Sequence, residues 1–425
     1  MASLRIIGGE TLLPEIGLSQ ADVSVADGHI TAIDGGGAGT TLDARGLYVL
    51  PGIVDIHGDA FERQLQPRPG IGFPIDLALA DTEAQLLANG ITTAFHGVTL
   101  SWEPGLRSLE AWRAIQAGLA AGRFACDMRV HLRWEAYNLD ALDDALADIA
   151  AGRVHLLAFN DHTPSILRKL KDPVEGAKYA GRAGMKLAEF AALAERVGAR
   201  ADEIPAAHDR LAAAARAASI PVASHDDDTI PLRDHFRALG ARICEFPIAE
   251  EVGHAARAAE DHVVMGSPNV VRGRSHLGWA SAALMAEAGV CSVLSSDYFY
   301  PAMLRAAFTL AARGTLGFAT AWNLVSANPA RAAGLDDRGT VAPGKRADLI
   351  AVLSEGTGAM PGCRHYIIME DAAEPDAIWI TEVWDDEASH RASLQLPAVQ
   401  IAIAKGRPLI AGFDISVKTT PVSDA

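Results

Sequence analysis

Between residues 53 and 312 the chain alternates eight times between two kinds of segment. Short runs rich in β-branched residues alternate with longer stretches of Ala and Leu at helical spacing. The first kind is typical of buried parallel strands and the second of amphipathic helices. The eight predicted strands are 53–57, 91–100, 128–136, 154–162, 220–226, 241–246, 262–267 and 290–297. The helical connection after the fourth strand is the longest, at 165–218.

Eight consecutive strand and helix units predict an α/β fold, a closed parallel (β/α)8 barrel spanning residues 51–335. Right-handed crossovers place the helices outside and bring the carboxyl ends of all the strands to one mouth. An open, doubly wound sheet is the alternative. It would leave unexplained why polar residues stand at nearly every strand end.

The segments that flank the barrel have a different sequence pattern. Residues 1–50 contain short apolar pieces separated by glycine-rich turns, which predict a small β-sandwich part. Residues 336–353 contain a returning strand that we expect to rejoin it. In the tail, 354–425, segments 366–369 and 378–383 predict strands and 387–405 predicts a helix.

Charge and cysteine content exclude several classes of function. With 53 acidic against 37 basic residues and a net charge of −16, the chain has no basic run suited to nucleic acid or an anionic membrane. Its four cysteines are far apart and form no CxxC, which argues against a disulfide framework or a thiolate zinc site. Without a signal-like N-terminus or a bilayer-length apolar run, we expect a cytoplasmic protein.

The first predicted strand ends in the pair His57 and Asp59, two residues apart and therefore on one face of a strand. Alone, such a pair is also compatible with a hydrogen-bonded histidine and a turn aspartate. The recurrence of His, Asp and Glu at other strand ends favours a metal site with one or two divalent ions, zinc before manganese or nickel. The candidate ligands are His57, Asp59, Glu135, Asp161, His162, His225 and Asp297.

Two carboxylates are the candidate catalytic groups. Glu135 is the candidate for bridging two ions, and Asp297 for accepting a proton from water. Asp161 and His162 are adjacent, so strict alternation allows at most one of them to face the mouth. His131 lies deeper in its strand, where we expect a buried, hydrogen-bonded histidine.

The loops after the first and seventh predicted strands carry four arginines. Guanidinium groups bind phosphate through two parallel hydrogen bonds, so on an acidic protein these arginines predict a small phosphorylated substrate. Surface salt bridges are the alternative explanation for each arginine taken singly. The candidate substrate-binding residues are Arg63, Arg68, Asn269, Arg272, Arg274 and His276.

Segments 51–59 and 344–349 resemble the amidohydrolase superfamily. Nine ordered segments resemble in particular its branch that hydrolyses α-D-ribose 1-methylphosphonate 5-triphosphate. They are 57–59, 66–69, 131–135, 160–164, 223–227, 245–247, 265–273, 275–276 and 294–298. The resemblance implies a barrel with a small β-sandwich made from both chain ends and a metal centre at the mouth. It also implies diphosphatase activity in phosphonate metabolism, giving the 5-phosphate and pyrophosphate. Amide or cyclic-amide hydrolysis, and a non-catalytic binding or assembly protein, remain as alternatives.

The tail resembles a different family, the antibiotic-biosynthesis-type (quinol) monooxygenases. Segments 361–371, 379–384 and 393–413 carry this resemblance, which implies a partial ferredoxin-like α+β tail. Residues 347–356 are a strand in the barrel family and a helix in the monooxygenase family. We expect the tail to form an appended element or an assembly surface, which is compatible with a homodimer.

Overall fold

The computed structural model describes residues 3–36, 39–68, 70–273, 281–353, 363–370, 378–384, 386–395 and 399–400. The chain divides into two compact units, Met1–Ala351 and Val352–Ala425. Among the described residues, no helix is both long enough and apolar enough to cross a membrane.

The strands up to residue 353 form three sheets. They are β1 Ser3–Ile7, β2 Glu10–Leu13, β3 Gly17–Gln20, β4 Val23–Ala26, β5 His29–Ile33, β6 Thr40–Asp43, β7 Leu47–Pro51, β8 Ile53–Gly58, β9 Ile91–Leu100, β10 Asp127–Glu135, β11 Leu156–Asn160, β12 Val222–His225, β13 Ile243–Glu245, β14 His262–Gly266, β15 Val293–Ser295 and β16 Leu349–Leu353. Two small sheets have the orders β5-β4-β1-β6 and β16-β7-β2-β3, and the large sheet runs from β8 to β15.

The helices lie mostly between the strands of the large sheet. They are α1 Glu62–Leu65, α2 Ile75–Ala88, α3 Leu109–Ala121, α4 Leu142–Ala150, α5 Thr163–Lys169, α6 Pro173–Arg182, α7 Leu187–Gly198, α8 Ile204–Ala217, α9 Ile230–Ala238, α10 Glu250–Ala258, α11 Ser267–Arg272, α12 Ala282–Glu287, α13 Ala302–Ala312, α14 Phe318–Asn323 and α15 Ala327–Ala332. The long connection predicted at 165–218 contains α5 to α8.

The large sheet closes on itself between β15 and β8. The Asp297 amide donates to the His57 carbonyl at 3.0 Å, and the Asp59 amide donates to the Asp297 carbonyl at 2.9 Å. The buried Asp55 carboxylate accepts hydrogen bonds from the amide and the hydroxyl of Ser296, at 3.0 and 2.5 Å. These bonds confirm the predicted (β/α)8 barrel.

Alternation along β10 separates two apolar layers. Leu132 and Trp134 pack outward in a cluster that includes Trp112 of α3 and Leu211 of α8. A second cluster takes residues such as Val54, Ala158, Ile243 and Val264 from the barrel strands, together with Ala330 of α15. Residues of β10 between the outward positions therefore point toward the barrel interior.

Beyond residue 353 the structure describes an antiparallel strand pair and a helix. The strands are β17 Cys363–Glu370 and β18 Ile378–Trp384, and the helix is α16 Glu387–Ser393. Both predicted tail strands are therefore present. The predicted helix 387–405 is described only to residue 400, with 396–398 also outside the described residues. In the disputed segment 347–356, Leu349–Leu353 is a strand beside β7, as in the barrel family.

Candidate metal centre

The innermost group at the mouth combines His57 at the end of β8, His131 on β10 and Glu245 at the end of β13. His57 Nδ1 lies 3.0 Å from Glu245 Oε1, and His131 Nε2 lies 3.8 Å from Glu245 Oε2. His131 Nδ1 is 3.1 Å from the Ile56 carbonyl, so Nδ1 carries the ring proton. The His131 Nε2 lone pair is therefore free to act as a ligand.

These three side chains fit a divalent cation. All are almost fully buried, with exposures of 1% for His57 and 0% for His131 and Glu245. Within the described part of the chain, His57 Nδ1, His131 Nε2 and both Glu245 carboxylate oxygens have no hydrogen bond of acceptable geometry. Buried polar atoms without partners are costly, whereas two imidazoles and a carboxylate are a common ligand set for zinc.

Burial also sets the protonation states that ligation needs. It lowers the pKa of His57 well below its ordinary range and lowers the pKa of His131 to about 3. Both imidazoles are therefore neutral at neutral pH, the form in which histidine binds metals. Burial raises the pKa of Glu245, an effect opposed by the neighbouring His131.

A second, half-buried group lies farther out and comprises His162, His225 and Asp226. His225 Nδ1 is 3.1 Å from Asp226 Oδ1. Asp226 has a φ of +59°, and the strand-end residues Phe246 and Asp297 have φ values of +50° and +54°. Left-handed backbone is uncommon for residues other than glycine, although aspartate tolerates it better than most, and here three such residues follow strands whose ends meet at the mouth.

Arg133 lies beside this second group. Its Nη2 is 3.2 Å from His225 Nε2, and its Nη1 is 3.4 Å from Asp59 Oδ2. The residue was not among the predicted site residues. The alternation of β10 could have identified both it and His131, because the outward neighbours Leu132 and Trp134 are strongly apolar.

Glu135, the predicted bridging carboxylate, lies against the start of α5. It accepts hydrogen bonds from the His162 and Thr163 amides, both at 3.1 Å, and from the Thr163 hydroxyl at 2.8 Å. Its Oε2 is also 3.0 Å from His162 Nδ1. Asp161 is exposed and belongs to neither group. The roles of Glu135 and Asp161 as ligands stay predictions.

Asp297 lies close to Asn269 at the mouth. A Cβ atom added to Gly266 would stand 3.1 Å from Asp297 Oδ2 and 3.7 Å from Asn269 Nδ2, so glycine allows this close approach. Burial and the negative charge of Asp59 raise the pKa of Asp297 to about 7, against the effect of Arg133. Its predicted role as proton acceptor remains a prediction.

Two of the four predicted phosphate-binding arginines meet at one residue. The exposed Arg63 donates to the backbone carbonyl of Tyr298, and the exposed Arg272 donates to the Tyr298 hydroxyl at 3.4 Å. Arg68 is exposed and bridges to Ile71 through the backbone. The remaining two predicted substrate-binding residues, Arg274 and His276, lie outside the described residues.

Comparison with known proteins places the chain in a family. Residues 176–369 match the amidohydrolase family. The chain is 33% identical over 317 residues to the α-D-ribose 1-methylphosphonate 5-triphosphate diphosphatase of Escherichia coli strain K12, which covers 73% of this chain and 84% of that protein. The chain belongs to the amidohydrolase family. This amidohydrolase also matches the antibiotic biosynthesis monooxygenase family at residues 338–405.

Two further likenesses are more limited. The chain is 46% identical to a D-hydantoinase from Rhizobium radiobacter over 54 residues, 12% of each protein. A crystal structure of a triazine hydrolase variant superposes with a TM-score of 0.57 at 14% identity, covering 84% of this amidohydrolase and 88% of that chain. At that identity the superposition supports the shared fold.

Proposed function

We propose that this amidohydrolase is a metal-dependent hydrolase of a phosphoanhydride, acting on α-D-ribose 1-methylphosphonate 5-triphosphate in the cytoplasm. The observation that carries the proposal is the 33% identity to the Escherichia coli diphosphatase across 84% of its length. The products would be the 5-phosphate and pyrophosphate. The proposed partner is thus a small phosphorylated molecule rather than nucleic acid or membrane.

The buried ligand set supports a metal requirement. His57, His131 and Glu245 would hold the ion, for which zinc is our first choice ahead of manganese or nickel. When bound, such an ion supplies positive charge that stabilises developing negative charge and lowers the pKa of water.

The chain's own residues would carry out the remaining chemistry. Asp297, with its pKa raised to about 7, would accept a proton from the attacking water near neutral pH. Arg63 and Arg272, which meet at Tyr298, would bind the polyphosphate. Local cations are needed because the net charge of −16 repels an anionic substrate.

Phosphorus NMR of the reaction mixture tests the proposal. The metal-loaded protein should convert the triphosphate to pyrophosphate and the 5-phosphate, and Asp297→Asn should lower kcat about 10²–10⁴-fold while remaining folded. Asp209→Asn, an exposed change on α8, is the matched control and should leave the rate unchanged. Normal turnover by Asp297→Asn would refute its assignment, and an unchanged substrate would refute the proposed reaction.

Cyclic-amide hydrolysis is the second candidate, favoured by the local 46% identity to a D-hydantoinase. A panel that includes hydantoins and dihydropyrimidines separates the two chemistries. Carboxylate formation without pyrophosphate release would favour this candidate. A protein that binds no divalent ion and turns over neither class would instead favour a binding or assembly role.

A further inference from the structure

We infer that Arg133 occupies the second cation position at the barrel mouth, so that the centre holds one divalent ion, at His57, His131 and Glu245. The inference rests on the proposed metal-dependent function and adds the number of ions and their place. The inference also assigns Asp59 a partner other than a metal ion, because Arg133 Nη1 lies 3.4 Å from Asp59 Oδ2.

The position of Arg133 makes its charge a fixed part of the site. It lies on the inward face of β10, and its side chain is only 7% exposed. A guanidinium stays protonated at any working pH and has only donors to offer. Arg133 contacts the Asp59 carboxylate, which is an anion, and His225 Nε2, which accepts a hydrogen bond. Both contacts are favourable for a positively charged donor.

The contact to His225 withdraws a ligand from the outer group. Because Arg133 can only donate, His225 Nε2 must use its lone pair to accept. The ring proton of the neutral imidazole then resides on Nδ1, which lies 3.1 Å from the Asp226 carboxylate without forming a hydrogen bond of acceptable geometry among the described residues. With one nitrogen accepting and the other protonated, the neutral His225 ring offers no lone pair to a metal.

Electrostatic repulsion acts in the same direction. A divalent ion at the outer group of His162, His225 and Asp226 would share His225 with the guanidinium. In a buried site the repulsion between two such cations is much stronger than in water. The guanidinium charge also reaches the inner group, where, together with burial, it contributes to lowering the pKa of His57 and His131. Among the described residues, however, no side chain of the inner group makes a hydrogen bond to Arg133, so only the outer group shares a ligand with it.

Metal stoichiometry measures this directly, without any assay of activity. The full-length protein is stripped with a chelator, dialysed against Zn²⁺, and analysed for zinc per chain by plasma mass spectrometry. We expect one ion in the wild type and in Arg133→Lys, which keeps the charge. We expect a second ion in Arg133→Met, which removes the charge but keeps much of the side-chain volume.

Two further variants keep the test decisive if Arg133→Met does not fold. His131→Gln should reduce the zinc content from one to none, whereas His225→Gln should retain one. Two ions in the wild type, one ion in a folded Arg133→Met, or loss of the ion in His225→Gln would each overturn the inference. No ion in the wild type would contradict both the inference and the proposed metal-dependent function. The other contradictory outcomes would overturn the inference alone, so the two failures can be told apart.

Discussion

At the residue scale, the Glu135 carboxylate holds the start of α5 through the Thr163 amide and hydroxyl and the His162 amide. We predict that Glu135→Gln lowers the free energy of unfolding by about 1–3 kcal/mol, because charged acceptors make stronger hydrogen bonds than amides. Urea denaturation of the metal-free protein measures this effect. Glu189→Gln, an exposed first-turn change in α7, is the control.

The same variant tests the predicted bridging role. A bridging ligand predicts loss of zinc in Glu135→Gln, whereas the single-ion inference predicts an unchanged zinc content, since this carboxylate already accepts hydrogen bonds from the start of α5. An unchanged unfolding energy together with loss of zinc would show that Glu135 is a ligand and that its bonds to α5 contribute little.

His208 provides a pH dependence outside the metal centre. It is buried on α8 against Phe159, with ring centroids 4.6 Å apart, and burial and the charge of His235 lower its pKa from 6.5 to about 4. The unfolded chain therefore binds more protons between these values, and stability falls as pH drops from about 6.5 to 4. The full pKa shift of His208 corresponds to a loss of about 3 kcal/mol in the free energy of unfolding.

We predict that His208→Leu makes the unfolding free energy less dependent on pH across that interval. Urea titrations of the metal-free protein at pH 7 and pH 4.5 measure the difference. His254→Leu, which changes an exposed histidine on α10, is the control. An identical loss of stability on acidification in the wild type and in His208→Leu would contradict the prediction.

The site residues show what a sequence can predict at this scale. His57, His225 and Asp297 were predicted to lie at the barrel mouth because the carboxyl ends of parallel strands meet there, and the structure places all three at or just after the ends of β8, β12 and β15. His131 was expected to be only a buried, hydrogen-bonded histidine, and its Nδ1 does make such a bond. That its Nε2 also approaches Glu245 depends on how β10 and β13 face each other across the barrel, which no local pattern encodes.

At the scale of elements, a buried charge network joins α9 to the barrel wall. Arg233 is fully buried and contacts Asp261 at 3.0 Å, Asp227 at 3.4 Å and the Ser224 hydroxyl at 2.5 Å. Removing one partner of a buried ion pair leaves uncompensated charge and typically costs about 3–5 kcal/mol. The network therefore contributes to holding α9 against β12.

We predict that Arg233→Met lowers the free energy of unfolding, measured by urea denaturation, by about 3–5 kcal/mol. Arg257→Met, at an exposed position of α10, should change stability by less than about 0.5 kcal/mol. Equal stabilities of the two variants would show that the network contributes nothing net.

The barrel strands were predicted in number and order, but several end earlier than expected. The predicted strand 220–226 is observed as Val222–His225, and 290–297 as Val293–Ser295. Asp226 and Asp297 leave the strands with positive φ values. Such turns are imposed by the site and its neighbouring strands, and a β-branched pattern cannot indicate them.

At the scale of the whole molecule, two family matches overlap in one stretch. The amidohydrolase match ends at residue 369 and the monooxygenase match begins at 338. The segment Leu349–Leu353 forms a strand beside β7, because β7 would otherwise be the edge strand of its sheet. All candidate ligands lie between residues 57 and 297, so the proposed chemistry belongs to the first unit.

We propose that buried groups from different strands hold a metal ion at the mouth of the barrel. An anomalous difference map from crystals of the zinc-loaded protein, recorded on both sides of the zinc edge, tests this proposal. We predict one peak within bonding distance of His57 Nδ1, His131 Nε2 and a Glu245 carboxylate oxygen, with Arg133 still in contact with His225. A map without a peak at these three side chains, from a protein saturated with zinc, would show that they do not form a metal site.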